Sequence, residues 1–146
     1  MRVVTTNGIF DLLHLGHLYI LEKAREQGDY LIVLINSDAS ALAQKKTPIF
    51  NQDERKKMLE AVRYVDEVRV FDELDPREAL RQIKPYAHVK SKSGYKGLEK
   101  EVLDEYGGKL ILVDDIPSFS STSLMYEITR RVVKYTLQDD IEVFMR

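Results

Sequence analysis

Apolar and polar positions along this chain alternate between two periods. Val3 and Val4 open a short strand that ends at the turn signal Asn7-Gly8. Leu18, Leu21 and Ala24, with Ile20 widening the stripe, have the spacing of a core-facing helix over residues 15–28, and Gly28 is its expected stop. Residues 30–35 read YLIVLI, apolar without alternation, as in a parallel strand covered on both faces. These three elements make a βαβ unit, and the alternation continues. Asn51 and Glu54 form a capping box ahead of a helix with Met58, Leu59 and Val62 inward. Residues 65–71, with Val68 and Val70 alternating, predict a third strand. Asp75, Pro76 and Glu78 supply the N-cap, N1 proline and N3 carboxylate of a helix that buries Ala79, Leu80 and Ile83. A fourth strand is expected over 87–90, a helix over 98–106 ended by Gly107-Gly108, a fifth buried strand over 110–113, and a last helix bearing Leu124, Ile128 and Val132. The pattern predicts an α/β fold: a doubly wound, Rossmann-like sheet of five parallel strands with helices on both faces, because parallel strands need helical crossovers.

Composition narrows the class. With 146 residues the chain fits a single domain, residues 1–146, with its own core and no need of disulfides or structural metal. That core is expected over about 1–135. A tail over 136–146, of which 139–146 falls outside the repeat pattern, is expected to cover an edge or a dimer surface. At 44% hydrophobic and 32% charged residues the sequence has an ordinary globular balance. A net charge of -2 provides no bulk basic field, so nucleic acid is not an expected partner and any phosphate must be held by local positive groups. Cysteine is absent, which agrees with a reducing compartment. Met1-Arg2-Val3-Val4 runs straight into a strand, unlike a signal peptide, and the apolar run 31–35 is too short to span a bilayer. A soluble cytoplasmic protein without a membrane partner is expected.

The candidate chemistry centres on residues 5–17, TTNGIFDLLHLGH, which holds two of the three histidines. Their i, i+3 spacing places His14 and His17 on one face of a first helical turn, where unpaired N–H groups and the positive dipole end suit phosphate. Gly8 and Gly16 remove Cβ bulk where a ligand must approach the backbone. The same HxxH spacing is half of a metal site, and two incidental histidines are the ordinary alternative. Without cysteine, and with His88 the only other imidazole, no resident metal site is expected. GxGxxG is missing, which excludes a typical dinucleotide site. Other polar groups fall at the carboxyl ends of predicted strands, where open α/β sheets bind ligands. These are Asn36-Ser37-Asp38, the basic loop with Lys45 and Lys46, and Lys90 leading into the 91–97 loop with Lys92. The lysines have solvated charge, and the 91–97 loop a plain connection, as their bland alternatives. Ser120, Ser121, Thr122 and Ser123 precede the last helix, and one hydroxyl suffices as a cap; the surplus points to a second phosphate-holding helix start.

TNGIFDLLHLGH, with LIVLINSDAS after the first helix, resembles the cytidylyltransferase-like nucleotidyltransferases. The chain is most similar to the heptose-1-phosphate adenylyltransferase domain of ADP-heptose synthesis and, through RYVDEV at 63–68, also resembles glycerol-3-phosphate cytidylyltransferase. The likeness runs over about 3–128, with HxGH in its GxFDxxHxGH context as the specific element and NSD, the lysine loop and SST in support. It implies transfer of NMP from an NTP, ATP favoured, to the phosphate of a small sugar or heptose phosphate, with Mg²⁺ entering on the NTP and pyrophosphate released. Its alternatives are CTP with glycerol phosphate, and a nucleotide-binding regulatory module without turnover. The resemblance also implies a homodimer. Resemblance and position together assign His14, His17 and Lys46 to catalysis. They assign Thr6, Asn7, Gly8, Ile9, Phe10, Asp11, Gly16, Ser120, Ser121, Thr122 and Ser123 to the nucleotide, and Asp38, Lys45, Arg55, Arg63, Lys90 and Lys92 to the substrate. An acceptor phosphate is already anionic, so the chemistry needs donors for phosphoryl oxygens rather than a general base.

Two stretches depart from the family. The cytidylyltransferases carry an arginine shortly before SST, where this chain has 114–118 as DDIPS, which favours the sugar-phosphate side. The loop after the fourth strand reads KSKSGY, with no acid and one residue more than the family pattern, which puts base choice in doubt. KSKSG also looks like the lysine signature of class I aminoacyl-tRNA synthetases, but its position and the chain's length argue against that assignment.

Overall fold

A computed structural model describes residues 1–117 and 119–137. Its order is β1 (Val3–Gly8), α1 (Leu15–Arg25), β2 (Tyr30–Asn36), α2 (Asp38–Ala43), α3 (Gln52–Glu60), β3 (Glu67–Phe71), α4 (Arg77–Ile83), β4 (Ala87–Ser91), α5 (Leu98–Asp104), β5 (Lys109–Val113) and α6 (Ser121–Leu137). The five strands form one all-parallel sheet in the order β3-β2-β1-β4-β5. Alternate residues of β2 face opposite layers. Leu31, Val33 and Ile35 pack with Leu21 and Ala24 of α1 and Leu59 of α3, while Ile32 and Leu34 pack with Leu80 of α4 and Val102 of α5. The chain winds from β1 outward to β3, returns across to β4 and winds the other way, so the strand order reverses between β1 and β4. In an open α/β sheet that reversal leaves a crevice at the strands' carboxyl ends.

Several elements differ from the pattern's expectation. Asn7-Gly8 is not a turn: it stays in β1, paired with Leu34 and Ile35. α1 ends at Arg25, and Gly28 lies where a Cβ would meet Arg2 O at 2.6 Å, so it serves close approach rather than a left-handed cap. α2 was not expected; Ser37 caps it by accepting from Ser40 N. In α3, Met58 is 52% exposed and Arg55 is buried in its stead. Pro76 takes the N-cap position of α4, while the Asp75 carboxylate accepts from Arg77 N, one residue off the expected frame. β5 is an edge strand with Leu112 exposed, and Ile128 of α6 is exposed as well. Of the expected tail over 136–146, residues 136 and 137 end α6, and 138–146 lie outside the described residues, as does Ser118.

Candidate functional site

The chain leaves β1 at the reversal point and enters the 9–14 loop. Phe10 and Leu12 there have φ of 55° and 47°, a left-handed conformation that costs energy for non-glycine residues and is held by its surroundings. Asp11 accepts from Ile49 N at 2.7 Å and Phe50 N at 3.0 Å, clipping the lysine loop to this turn. Arg55 donates through Nη1 to Ile9 O (2.8 Å) and Asn36 O (2.9 Å), through Nε to Phe50 O (3.0 Å), and through Nη2 to Asp38 Oδ1 (2.9 Å).

At the start of α1 the two histidines do the work that Ser and Glu perform in an ordinary capping box. His14 Nδ1 accepts from Gly16 N at 3.0 Å and His17 Nδ1 from His14 N at 3.3 Å. A nitrogen that accepts carries no hydrogen, so both rings are neutral with the hydrogen on Nε2. Burial acts in the same direction. It lowers the His14 pKa, and it takes His17 to about 4, with His14 adding to the shift and Asp11 opposing it. The rings stack at 3.8 Å, and Phe10 lies 5.2 Å from His17. His14 Nε2 is buried without a partner among the described residues. The outcome is two preset N–H donors, and the one on His14 is buried without an acceptor among the described residues.

Three cavities are lined by His17, and His14 lines one of them. The largest, about 500 Å³, is lined by Phe10, Asp11 and His17 of the β1–α1 region, by Lys45 and Lys46, and by Ser121 and Thr122 at the start of α6. A second of about 190 Å³ separates His14 and Tyr19 from Ser93, Asp114, Asp115 and Phe119. The third, about 130 Å³, sits at the reversal point between Asn7, Gly8, His17, Lys90 and Ser91, with Thr6 also on its wall. Phe119 O crosses close over α1, where a Cβ on Gly16 would meet it at 2.7 Å. Ser120 Oγ caps α6 by accepting from Ser123 N at 3.0 Å, and Ser121 Oγ donates to Asp11 O at 3.1 Å. The 91–97 loop is fastened across the second cavity by Ser93 N and Oγ donating to Asp115, and Lys92 pairs with Asp114 at 2.6 Å.

The structure thus gathers the histidines, Lys45, Lys46, Lys90 and the 6–11, 16 and 120–123 positions at one sheet edge. It does not bring every expected residue to a cavity. Arg63 follows α3 at the opposite edge, donating to Tyr64 Oη at 3.1 Å, because residues 61–66 lead into the amino end of β3. Arg55 has a side chain with no exposure, spent on three carbonyls and on Asp38, so it shapes the loops beside the cavities rather than lining one. Lys92 is paired on the rim. Sequence reasoning passed over His88, which is fully buried between Thr5 and Asn7, because strand neighbours distant in sequence leave no local signal. Among the described residues no three His, Cys, Asp or Glu groups are placed to hold a metal ion, and Asp11 has both oxygens engaged. No described helix is long and apolar enough to cross a membrane.

The profile described as cytidylyltransferase-like matches residues 5–142. The bifunctional protein HldE of Geobacter sulfurreducens is 41% identical over 135 residues, 88% of this chain and 27% of the relative. That of Koribacter versatilis is 42% identical over 130 residues, 85% of this chain and 26% of the relative. The chain therefore spans about a quarter of the length of these relatives. Among solved structures, the lipopolysaccharide core biosynthesis protein of Thermoplasma volcanium superposes with a TM-score of 0.68 at 26% identity, over 80% of this chain and 97% of that one. Pantothenate synthetase of Thermus thermophilus shares the fold, with a TM-score of 0.55 at 13% identity, over 84% of this chain and 58% of that one.

Proposed function

The chain belongs to the cytidylyltransferase-like family of nucleotidyltransferases, and from that premise we propose that it transfers AMP from ATP to the phosphate of a small sugar phosphate of the heptose class. The observation that carries the reading is the buried His14 Nε2–H, which has no acceptor among the described residues, beside a second neutral donor on His17. Neutral N–H donors at a helix N-terminus are suited to phosphoryl oxygens and unsuited to taking a proton at pH 7.

In the reaction an oxygen of the acceptor phosphate forms a bond to the α-phosphorus. The bond from that phosphorus to the bridging oxygen breaks, and pyrophosphate leaves with the electron pair. No proton has to move. His14 and His17 donate to oxygens on which charge grows, and Lys45 and Lys46 on the wall of the largest cavity meet the leaving pyrophosphate. The divalent cation arrives with the triphosphate as part of the substrate. Similarity to HldE and the 114–118 stretch, where the arginine of the cytidylyltransferases is missing, support ATP and a sugar phosphate over CTP and glycerol phosphate.

A matrix of ATP, CTP, GTP and UTP against phosphorylated sugars and polyols with Mg²⁺, scored by pyrophosphate release, tests the reading. Release that requires both ATP and a sugar phosphate is the expected result. Release with CTP and glycerol phosphate alone transfers the assignment to that pair. ATP binding without release across the acceptor panel identifies a regulatory module.

A further inference from the structure

His88 takes no part in the chemistry just described, yet it is fully buried on β4 at the reversal point. Its Nδ1 lies 2.7 Å from Thr5 Oγ1, and its Nε2 lies 3.0 Å from Asn7 Oδ1. Burial, with Lys90 nearby, takes its pKa to about 3, so the ring is neutral and one nitrogen donates while the other accepts. The Thr5 hydroxyl decides which. Thr5 is fully buried, and among the described residues His88 Nδ1 is the sole hydrogen-bond partner of its hydroxyl. Unless the hydroxyl donates there, its hydrogen is left unpaired in the core, which buried polar groups avoid. Nδ1 is therefore the acceptor, and Nε2–H donates to the Asn7 carbonyl oxygen.

That assignment fixes which end of the Asn7 amide faces outward. With Oδ1 tied to His88, the NH₂ group is turned away from the ring, and among the described residues it has no hydrogen-bond partner. Asn7 lines the cavity of about 130 Å³ together with Lys90, whose Nζ donates to Asn7 O at 3.0 Å. His88 and Lys90, two apart on one face of β4, thus hold Asn7 by its side chain and by its main chain. A flipped amide would aim a carbonyl oxygen into a cavity otherwise furnished with donors, and that oxygen would repel an anion. Resting on the reading above, we propose that His88 is a positioning residue: through the chain Thr5–His88–Asn7 it sets the Asn7 amide with N–H donors toward the phosphate of the acceptor, and not toward the nucleotide to which the resemblance assigned Asn7.

The test uses the full chain, with ¹⁵N-edited NMR of the imidazole and side-chain amides, inorganic phosphate as the probe, and pyrophosphate-release kinetics for any acceptor that turns over. His88 is expected as the Nε2–H tautomer from pH 5 to 8, and the Asn7 NH₂ signals are expected to shift on phosphate addition. His88→Leu should weaken phosphate binding and raise the acceptor KM about tenfold, the worth of one hydrogen bond, with the NTP KM unchanged. His88→Gln, which keeps an N–H near the Nε2 position, should restore most of the loss. In an Asn7→Ala background His88→Leu should add nothing. An Nδ1–H tautomer, unchanged phosphate binding in His88→Leu, or an equal loss in the Asn7→Ala background overturns the proposal. Should His88→Leu fail to fold, Thr5→Val serves instead, because loss of the hydroxyl should release the tautomer to a mixture; a single Nε2–H form in that variant also overturns it. Phosphate bound at Asn7 without pyrophosphate release would sink the transferase reading alone. Release with the Nδ1–H tautomer would sink this one alone.

Discussion

At the scale of single residues, the site is built from donors whose protonation is set by the backbone. His17→Ala is expected to lower kcat about 100 to 1000-fold with a small change in NTP Kd, because a donor aimed at developing charge acts mainly in the transition state. Steady-state kinetics with an independent binding isotherm checks it, and an intact kcat would remove His17 from catalysis. His88 makes a stability prediction with a definite sign. Its folded pKa of about 3 lies below the ordinary 6.5, so between those values the unfolded chain binds a proton that the folded chain refuses. Stability from this group is complete above pH 6.5 and is lost as pH falls toward 3. Between pH 7 and pH 4 the loss is about 3 kcal/mol. Carboxylates and His17 titrate in the same window but do so with or without His88. Urea unfolding at both pH values should therefore show a drop smaller by about 3 kcal/mol in His88→Leu than in the parent chain. His14 and His17 were legible in the sequence because their spacing on one helical turn is local. His88 was not, because its partners Thr5 and Asn7 lie 83 and 81 residues away.

At the scale of elements, loops are shaped by buried groups that line none of the three cavities. Arg55 joins Ile9, Asn36, Phe50 and Asp38, drawing the ends of β1 and β2 and the start of α3 into one unit. Arg55→Met should cost about 3 kcal/mol in chemical denaturation, since it strands carbonyls and a carboxylate together. Arg55→Lys should recover little, as an ammonium lacks the planar fork. Gly16→Ala is the complementary case. Its Cβ would stand 2.7 Å from Phe119 O and 2.8 Å from the His14 ring, so the lead into α6 and the histidine must both move. Turnover should collapse while circular dichroism and the melting midpoint shift modestly, about 1 to 3 kcal/mol in stability. Element type followed well from periodicity, as the doubly wound alternation did. Boundaries and local roles followed less well. Asn7-Gly8 has the composition of a turn, but pairing with β2 carries it through as strand. Helical spacing placed an inward residue at Met58, yet the buried position belongs to Arg55, whose polarity hid it from a hydrophobic count.

At the scale of the whole molecule, two layers close the sheet, and no described residue of α6 belongs to either core cluster. α1 and α3 seal one face, α4 and α5 the other, whereas none of residues 121–136 is fully buried and Tyr126, Ile128 and Val133 are exposed. Its first turn is what ties it to the site, through Ser121 Oγ to Asp11 O and through the crossing of Phe119 over Gly16. A helix with no fully buried residue among those described is expected to gain protection from whatever binds at its first turn, because local opening follows the density of buried contacts. Thr122 lines the largest cavity together with Lys45 and Lys46, so a triphosphate placed there would join the helix start to the lysine loop. Saturating NTP at about 100 times Kd should stabilise the fold by about 2.7 kcal/mol. If α6 closes over the triphosphate, that gain concentrates in two places. Amide hydrogen exchange should slow most in the first turns of α6 and in the 44–50 loop, and least in α4 and α5 on the far face. Thr122→Ala should reduce the slowing in α6 while leaving exchange in the sheet unchanged. Uniform slowing across both faces would instead mean that the nucleotide stabilises the sheet as one body, and that α6 is no part of the closure.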